Sequence, residues 1–276
     1  MSGAPPLAGV IGWPIGHSRS PRLHGHWLAR HGIAGYYIPI ALPPEGFEAG
    51  LRSLPALGFR GVNVTIPHKE AALALADTAT DEARAIGAAN TLTFAADGGI
   101  HADNTDAYGF VANLRQQAPS WSAASGPALV LGAGGAARAI VAALLAGGAP
   151  EIRVANRTAA RAEALGMHFG PRVVPVGWED GAAVRGVATI VNTTSVGMEA
   201  GESLALDLDL VPPGALVTDI VYGAEPTPLV AAARARGFLA VDGLGMLLHQ
   251  AVPGFERWFG VRPEVDDALR DAVLAP

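Results

Sequence analysis

Lys69 is the residue whose type and position most directly suggest chemistry. It is the only lysine in a chain of 276 residues, and the other 18 basic residues are all arginine. A lysine can give up its proton in a suitable environment, whereas an arginine stays charged. Lys69 follows the stretch Gly61-Val-Asn-Val-Thr-Ile-Pro-His, in which Asn63 and Thr65 alternate onto one face of a predicted strand. The sequence therefore predicts acid–base chemistry at Lys69, and a surface lysine retained by chance is the alternative.

Asp106 offers a carboxylate that can act together with Lys69. It ends the segment His101-Ala-Asp-Asn-Thr-Asp, which opens a predicted helix. Such a carboxylate can orient an ammonium and hold substrate hydroxyls, while a plain helix cap is the alternative. His68 is a rival acid–base group, but neighbours at a helix start point about 100° apart, so His68 and Lys69 are not expected to face one ligand. His17, which lies in a loop, is another candidate, and a merely exposed loop histidine is the alternative.

Two serines mark a second polar site. Ser18 and Ser20 lie in a loop between a predicted strand and a helix that begins near Pro21. Ser20 is predicted to be the N-cap of that helix, with Pro21 in its first turn. The free backbone amides at a helix start, together with two hydroxyls, would suit a small carboxylate. Simple helix capping is the alternative, and it would need Ser20 but not Ser18.

A glycine-rich turn predicts a dinucleotide cofactor. The segment Ala128-Leu-Val-Leu-Gly-Ala-Gly-Gly-Ala-Ala fits strand, glycine turn and helix, with small residues at Gly132, Gly134 and Ala137. In this pattern the first glycine permits a tight turn, the second lets the backbone approach a pyrophosphate, and the third small residue lets the helix pack on the strand. The flanking strand and helix make the pattern much more specific than the glycines alone.

The end of the next strand indicates which dinucleotide is preferred. Units that bind NAD carry an Asp or Glu there, about 20 residues after the glycines. Here Asn156, Arg157 and Thr158 occupy that place, and Arg161 follows one helical turn later. A guanidinium binds a 2′-phosphate through charge-assisted hydrogen bonds, whereas a carboxylate would repel it. The sequence predicts NADP, and the alternative is that both arginines are ordinary solvated helix charges.

The elements that must position these residues alternate between strand and helix. Strands are predicted over 7–12, 36–40, 61–66, 90–94, 100–102, 128–131, 151–155, 189–192, 216–219 and 239–241, and helices over about 21–31, 47–57, 69–77, 105–117, 136–146, 159–167 and 245–259. This alternation predicts an α/β protein with parallel sheets. A stretch rich in Ala, Ser, Pro and Gly over 117–127 suggests a boundary between two lobes.

The composition excludes several classes of function. The chain has no cysteine, so disulfides, thiolate catalysis and cysteine-ligated metals are excluded. The formal net charge is −6 and there is no basic run, which disfavours nucleic acid as a partner. No histidines have convincing metal-ligand spacing, and we expect His24 and His26 on the surface and no bound metal.

The mean hydropathy of +0.30 raises the question of a membrane. The most apolar stretch, Ala128–Ala149, is interrupted by glycines and Arg138, so it lacks the roughly 20 apolar residues that a membrane span needs. The N-terminal residues show no signal-peptide pattern. We therefore expect a soluble, cytoplasmic protein that handles small molecules and has no membrane partner.

Taken together and in order, the motifs resemble those of the shikimate dehydrogenase family. The matching stretches cover nearly the whole chain and are VIGWPIGHSRSP (Val10–Pro21), GVNVTIPHK (Gly61–Lys69), GAANT (Gly87–Thr91), DNTDAYG (Asp103–Gly109), GAGGAARA (Gly132–Ala139), NRT (Asn156–Thr158), NTTSVGM (Asn192–Met198), DIVYGAEPTPL (Asp219–Leu229) and DGLGMLLHQA (Asp242–Ala251). Gly25 and Ala89 depart from the residues frequent in the family, and neither replaces a proposed polar ligand.

The resemblance implies an α/β fold with two lobes. One is an α/β sandwich that binds substrate, formed by residues 1–106 and completed by 243–276, and the other is a Rossmann-type NADP lobe with a parallel sheet, residues 107–242. It also implies the reversible, NADPH-dependent reduction of 3-dehydroshikimate to shikimate in aromatic amino-acid biosynthesis, with Lys69 and Asp106 as the catalytic pair.

Further site residues follow from the resemblance alone. It implies that Ser18 and Ser20 bind the substrate carboxylate with Thr65 and Tyr222 nearby, and that Asn90, Asp106 and Gln250 bind the ring hydroxyls. The implied cofactor-binding residues are Gly132, Ala133, Gly134, Gly135, Ala136, Asn156, Arg157, Thr158, Arg161, Thr193, Thr194, Ile220, Gly243 and Met246.

Three other functions remain open on the sequence. An NAD-using quinate/shikimate dehydrogenase of the same family is disfavoured by Asn156 and Arg157, because an acid at that strand end would be expected. A non-catalytic homologue that binds a small polyhydroxylated acid would be expected to lack Lys69 or Asp106. A folate-metabolising dehydrogenase fits the paired serines less well. The sequence leaves open whether the chain is a monomer or a homodimer.

Overall fold

The chain divides into two compact units. A computed structural model describes residues 4–178, 180–197, 204 and 206–275. The first unit runs to Asp106 and resumes at Leu247, and the second comprises Ala107–Met246. The boundary suggested by composition at 117–127 is wrong, because this stretch lies inside the second unit. The chain changes units within a continuous helix that begins at Asp106, so no composition shift marks the change.

The described residues form twelve strands and ten α-helices. The strands are β1 (Leu7–Gly12), β2 (Tyr36–Ala41), β3 (Phe59–Val64), β4 (Thr78–Ala79), β5 (Thr91–Phe94), β6 (Ile100–Asp103), β7 (Ala128–Leu131), β8 (Ile152–Ala155), β9 (Val173–Val176), β10 (Thr189–Asn192), β11 (Leu216–Asp219) and β12 (Leu239–Val241). The helices are α1 (Ser20–Arg30), α2 (Phe47–Ser53), α3 (Lys69–Leu75), α4 (Asp81–Ile86), α5 (Asp106–Gln117), α6 (Gly135–Ala146), α7 (Ala159–Phe169), α8 (Pro228–Ala235), α9 (Leu244–Phe259) and α10 (Asp267–Leu274).

The first unit is built on a six-stranded mixed sheet in the order β2-β1-β3-β5-β6-β4. Strands β1, β2 and β3 are parallel, whereas β5 runs antiparallel to both β3 and β6. The sheet is therefore not purely parallel as the alternation predicted. The short connection from Phe94 to Ile100 explains the antiparallel pairing of β5 with β6, because a short turn can join only antiparallel neighbours.

One part of the core of the first unit lies on the face of this sheet that is covered by α2. Ile11, Val62 and Leu92 come from three neighbouring strands and pack with Leu51 of α2. Each such side chain contributes roughly 1.5–3 kcal/mol when it is fully buried. Helix α2 ends at Ser53, earlier than the predicted 57, because Pro55 begins a separate 3-10 turn.

The second unit contains an all-parallel sheet in the order β12-β11-β10-β7-β8-β9. The chain runs outward from β7 to β9, returns to β10, and then runs outward in the other direction. This is the doubly wound Rossmann order, in which ligands bind at the carboxyl ends of the strands where the order reverses, here between β7 and β10. The predicted α/β class and the Rossmann-type domain are confirmed.

The predicted strands and helices are all present and, apart from the end of α2, their ends shift by at most two residues. Those that the sequence did not predict are β4, α4, β9, α8 and α10. Within the described part of the chain, no helix has both the length and the apolar character needed to cross a membrane.

Candidate active site

Lys69 and Asp106 form an ion pair in the first unit. Lys69 is the first residue of α3, and Asp106 is the first residue of α5. The Nζ of Lys69 donates a hydrogen bond to Oδ2 of Asp106, and the side chains are only 12% and 6% exposed. Because the pair is shielded from water, each partner fixes the other more firmly than in an exposed pair.

Asn90 links this pair to a third polar side chain. Its Oδ1 accepts a hydrogen bond of 2.8 Å from the backbone amide of Thr105, which fixes the orientation of the side-chain amide. Its Nδ2 therefore faces Oδ1 of Asp106 at 2.8 Å and Oε1 of Gln250 at 3.2 Å. Four predicted residues, Lys69, Asp106, Asn90 and Gln250, thus meet in one hydrogen-bonded group.

The serine loop differs from the prediction in its capping. Arg19 is the N-cap residue of α1 and makes no side-chain cap hydrogen bond, so the prediction that Ser20 is the N-cap is wrong. The amide of Ser18 donates to Ile15 O and closes a turn. Arg19, which follows this turn, already has helical backbone angles, so the helix begins at Ser20. The Oγ of Ser18 accepts a hydrogen bond of 3.3 Å from the amide of Ser20 and keeps its own proton for a further acceptor.

Thr65 lies beside the start of the serine loop. It follows β3, whose parallel neighbour β1 leads into that loop. The amide of Thr65 donates to Ile11 O at 2.9 Å, and the amide of Trp13 donates to Ile66 O at 3.1 Å. The turns that carry Thr65 and the two serines therefore begin at the same edge of the sheet.

The histidines near these motifs are structural or exposed. His68 is buried, its Nε2 lies 2.8 Å from Leu42 O, and its ring stacks on Phe47 with the centroids 4.2 Å apart. It is thus engaged away from Lys69, as expected, and His17 is exposed. His24 was expected on the surface, which is wrong. It is fully buried on the face of α1 that also carries Leu23 and Trp27, and burial lowers the pKa of His24 to about 3.

A second candidate site lies at the strand ends of the second unit. A cleft of about 150 Å³ is lined by nine residues, namely Gly132, Ala133, Gly134, Asn156, Arg157, Trp178, Thr193, Thr194 and Ser195. It opens where the strand order reverses between β7 and β10. The location and the polar, glycine-rich lining are those of a dinucleotide site.

Gly132 is the residue that shapes this cleft. Its φ is +109°, and a Cβ atom there would lie 2.4 Å from Oγ1 of Thr193. Oγ1 of Thr193 donates to Leu131 O at 2.7 Å, so the threonine is held against the turn. Helix α6 begins at Gly135 after Gly134, and no side chain caps it. Its first amides can therefore bind a phosphate, and the site fits the pyrophosphate of NADP.

The residues after β8 fit the 2′-phosphate of NADP. None of the nine described lining residues is acidic, and the exposed Arg157 supplies a guanidinium. Asn156 donates to Thr158 O at 2.9 Å, which fixes the turn in which Arg157 lies. Arg161 is exposed in the first turn of α7 and is not among the residues that line the cleft.

Trp178 is a lining residue that the sequence did not identify. It follows β9, a strand that was not predicted, and its half-buried side chain packs on the core of the second unit. An aromatic face in a polar cleft suits a planar base.

The remaining predicted residues of the second unit follow β11 and β12. A Cβ atom on Gly243 would lie 2.3 Å from Ile220 O, so only glycine allows these two strand ends to approach. Burial raises the pKa of the nearby Asp219, whose carboxylate accepts hydrogen bonds from Val221 N, Thr227 and Asn192. Tyr222 is half-buried and Met246 is buried. Met198, which closes the predicted motif 192–198, lies outside the described residues.

Three family profiles match this chain. The shikimate dehydrogenase substrate binding domain matches residues 10–92, the shikimate/quinate 5-dehydrogenase profile matches 114–180, and the shikimate 5′-dehydrogenase C-terminal domain matches 243–274.

Individual proteins are similar over nearly the full length. A shikimate dehydrogenase (NADP(+)) of Paracoccus denitrificans is 62% identical over 98% of this chain and 96% of its own. The shikimate 5-dehydrogenase of Thermus thermophilus, solved in complex with NADP(H) and shikimate, is 37% identical with a TM-score of 0.84, covering 97% of this chain and 98% of that one. The quinate dehydrogenase of Corynebacterium glutamicum, in complex with NAD, is 31% identical with a TM-score of 0.88, covering 98% of this chain and 99% of that one.

Proposed function

Because the chain belongs to the shikimate dehydrogenase family, we propose that Lys69 and Asp106 are the catalytic pair of its reaction, the NADP-dependent interconversion of shikimate and 3-dehydroshikimate. The observation that carries this proposal is the shielded ion pair of Lys69 and Asp106, with Asn90 donating to the second carboxylate oxygen. The chain is an oxidoreductase of the shikimate pathway, which leads to the aromatic amino acids.

Lys69 is the proton donor in the direction of reduction. NADPH, when bound, supplies the hydride that the ketone carbon receives. Negative charge then develops on the ketone oxygen, and the ammonium of Lys69 gives that oxygen a proton. Asp106 accepts a hydrogen bond from Lys69 Nζ and thereby aims the ammonium. In the reverse direction the neutral amine of Lys69 takes the proton back.

The neighbouring polar groups hold the substrate. The carboxylate of Asp106 and the amides of Asn90 and Gln250 provide donors and acceptors for ring hydroxyls within one group. Ser18 and Ser20, with Thr65 and Tyr222, bind the carboxylate in this proposal. The residues 1–106 with 243–276 form the substrate-binding domain, and 107–242 form the NADP-binding domain.

NADP is bound by the cleft of the second unit. Gly132–Ala136 present backbone amides to the pyrophosphate, and Asn156, Arg157, Thr158 and Arg161 bind the adenosine with its 2′-phosphate. Thr193 and Thr194 lie by the adenosine, while Ile220, Gly243 and Met246 line the nicotinamide pocket. The glycine geometry and the absence of an acid among the described lining residues support this assignment.

A single spectrophotometric assay tests the function. The purified chain is mixed with shikimate and NADP+, and NADPH absorbance is followed. Absence of NADPH formation would refute the proposal. Ratios of kcat/KM for NADP+ against NAD+, and for shikimate against quinate, decide between this function and an NAD-using quinate/shikimate dehydrogenase. Equal or better values with NAD+ or quinate would favour the latter.

We also propose a cytoplasmic location, since NADPH-dependent biosynthesis takes place where that cofactor is kept reduced. Fractionation of the source cells tests the location. A homodimer is the assembly to test, by light scattering coupled to size-exclusion chromatography.

A further inference from the structure

A chain of side-chain hydrogen bonds leads from Tyr37 on β2 to the catalytic carboxylate. The hydroxyl of Tyr37 lies 2.7 Å from Oδ1 of Asn63, and Nδ2 of Asn63 lies 3.1 Å from Oγ1 of Thr91. The Oγ1 of Thr91 lies 3.0 Å from Oδ1 of Asn90. The Nδ2 of Asn90 in turn lies 2.8 Å from Oδ1 of Asp106. We call these five residues, Tyr37, Asn63, Thr91, Asn90 and Asp106, the tyrosine chain.

Backbone partners fix the orientation of both side-chain amides in the tyrosine chain. Nδ2 of Asn63 also donates to the backbone oxygen of Asn90 at 3.2 Å, and a carbonyl can only accept. Oδ1 of Asn63 must therefore face Tyr37, whose hydroxyl donates. Thr91 accepts from Asn63 and has one proton, which can go to Oδ1 of Asn90 at 3.0 Å or to Oγ1 of Thr105 at 3.1 Å. The hydroxyl of Thr105 also lies 3.1 Å from that oxygen of Asn90. At the far end, the amide of Thr105 fixes the same orientation of Asn90 independently.

Water has little access to these groups. Tyr37 is 7% exposed, and the other four members are between 0% and 5% exposed. The ring of Tyr37 is also held by a parallel stack on His24, with the centroids 3.8 Å apart. A buried amide that loses its partner is not rescued by solvent, so it turns toward another partner or stays unsatisfied.

We propose that Tyr37 is a positioning residue for the reaction, acting through Asn63 and Thr91 to keep Asn90 donating to Asp106. Backbone groups already decide which end of each amide faces the chain, and the donor at Tyr37 holds Asn63 in the position from which it contacts both Thr91 and Asn90. Loss of the tyrosine hydroxyl leaves Oδ1 of Asn63 without this donor, so Asn63 shifts. Through Thr91 and the backbone oxygen of Asn90 the shift displaces Asn90 from Asp106 and changes the aim of Lys69. This inference rests on the proposed catalytic role of the Lys69–Asp106 pair.

A narrower role for Tyr37 would involve only the serine loop. Burial raises the pKa of Tyr37 well above its usual value, while a hydrogen bond with the side chain of Ser20 acts in the opposite direction. If Tyr37 served Ser20 alone, its loss would weaken binding of the substrate carboxylate and leave turnover unchanged. The two roles therefore predict different kinetic constants.

The test compares four single variants, and the double variant Tyr37→Phe/Thr91→Val, with the wild type. Tyr37→Phe removes the hydroxyl at the start of the tyrosine chain, and Thr91→Val removes the hydroxyl in its middle with little change of shape. Tyr36→Phe is the matched control, because Tyr36 is 61% exposed and lies on the same strand. Thr91→Ser keeps a hydroxyl at this position and is the conservative counterpart of Thr91→Val. For each, the thermal midpoint is determined, and kcat and both KM values are measured well below it.

We expect Tyr37→Phe and Thr91→Val each to lower kcat on the order of 10-fold, with the KM for NADP+ unchanged. The double variant should lose about as much as either single one, because both break the same chain. Thr91→Ser should have a kcat much closer to the wild type than that of Thr91→Val, and Tyr36→Phe should match the wild type.

Two results would overturn the proposal. One is normal kcat in Tyr37→Phe, with or without a lower thermal midpoint, which would make the chain purely structural. The other is a rise in the KM for shikimate alone, which would confine Tyr37 to the serine loop. Both require an active wild type, so failure of the proposed function itself is distinguished by the absence of any shikimate-dependent NADPH formation.

Discussion

The ammonium of Lys69 and the carboxylate of Asp106 are paired at the first residues of two different helices, with only 12% and 6% of their side chains exposed. The carboxylate receives Lys69 on one oxygen and Asn90 on the other. Its place is thus set from two sides before any substrate binds. An ammonium aimed in this way is pre-organised for the oxygen at which charge develops during reduction.

Replacement of Lys69 tests the proton donor directly. We expect Lys69→Ala to lower kcat by about 10²–10⁴-fold with a modest change in the KM for shikimate. The reason is that the substrate keeps Asn90, Gln250 and the serine loop but loses its acid. Steady-state kinetics measure the effect, and near-normal turnover would refute the assignment.

Lys69→Arg separates charge from proton transfer. Arginine preserves the ion pair with Asp106 but does not release its proton near neutral pH. We expect this variant to keep substrate binding and to remain about as slow as Lys69→Ala. Recovery of most of the wild-type kcat would mean that charge alone suffices and that the proton comes from elsewhere.

Arg157 is expected to set the preference for NADP+. Hydrogen bonds to a charged group contribute about 1.5–3 kcal/mol, so Arg157→Ser should raise the KM for NADP+ by about 10–100-fold and leave that for NAD+ almost unchanged. Arg115→Ser is the matched control, because Arg115 is exposed on α5 of the same unit and does not line the cleft, so the KM values should not change. An effect at Arg115 as large as that at Arg157 would contradict this assignment.

The sequence predicted those parts of both sites that local patterns encode. Gly132 and Arg157 stand at fixed places relative to one strand and one helix, and Lys69 was identified as the only lysine, placed after a strand with a polar face. Gln250 is different, because it reaches Asn90 across 160 positions of the chain and only the family resemblance pointed to it. Asn63 was placed on a polar face by its alternation with Thr65, but its contact with Tyr37 was not predicted, because only sheet pairing makes the two residues neighbours.

The wrong predictions also have physical reasons. His24 looked like a surface histidine by its polarity, yet its spacing from Trp27 places it on the buried face of α1. Helix α10 escaped prediction because it is short and charged, although Leu269 and Val273 recur at the spacing of one buried face. Strand β9 is an edge strand with an exposed Pro175, which hides its alternation.

Asp103 should make the first unit sensitive to acid. Burial raises the pKa of Asp103, but hydrogen bonds from Arg257 and Thr80 and the charge of Arg257 outweigh it, so the pKa is lower than its usual 3.8. A lowered pKa contributes stability that is present above the unfolded-state value and is lost as the pH falls through the folded-state value. We therefore expect stability to fall steeply only below about pH 4.

Arg257→Met tests this contribution. At pH 7 we expect a loss of about 1–3 kcal/mol in the free energy of unfolding, because a buried carboxylate is left without its charged partner. The loss should shrink as Asp103 becomes protonated. Arg52→Met, which removes an exposed pair with Glu48 in the same unit, should cost at most about 0.5 kcal/mol. Urea titrations at several pH values measure both, and a loss that stays constant down to low pH would exclude the ion pair as its cause.

Trp178 is expected to receive the adenine ring. It lines the same cleft as Arg157 and Gly132, and stacking on an aromatic side chain contributes about 1–3 kcal/mol per base. Adenosine 2′,5′-bisphosphate is the probe, because it carries the adenine and the 2′-phosphate without the nicotinamide. We expect it to quench tryptophan fluorescence in the wild type and not in Trp178→Phe, which keeps the stacking face. Trp178→Ala should weaken binding of the probe about 10-fold by calorimetry, and equal affinity in this variant would show that the ring does not contact the base.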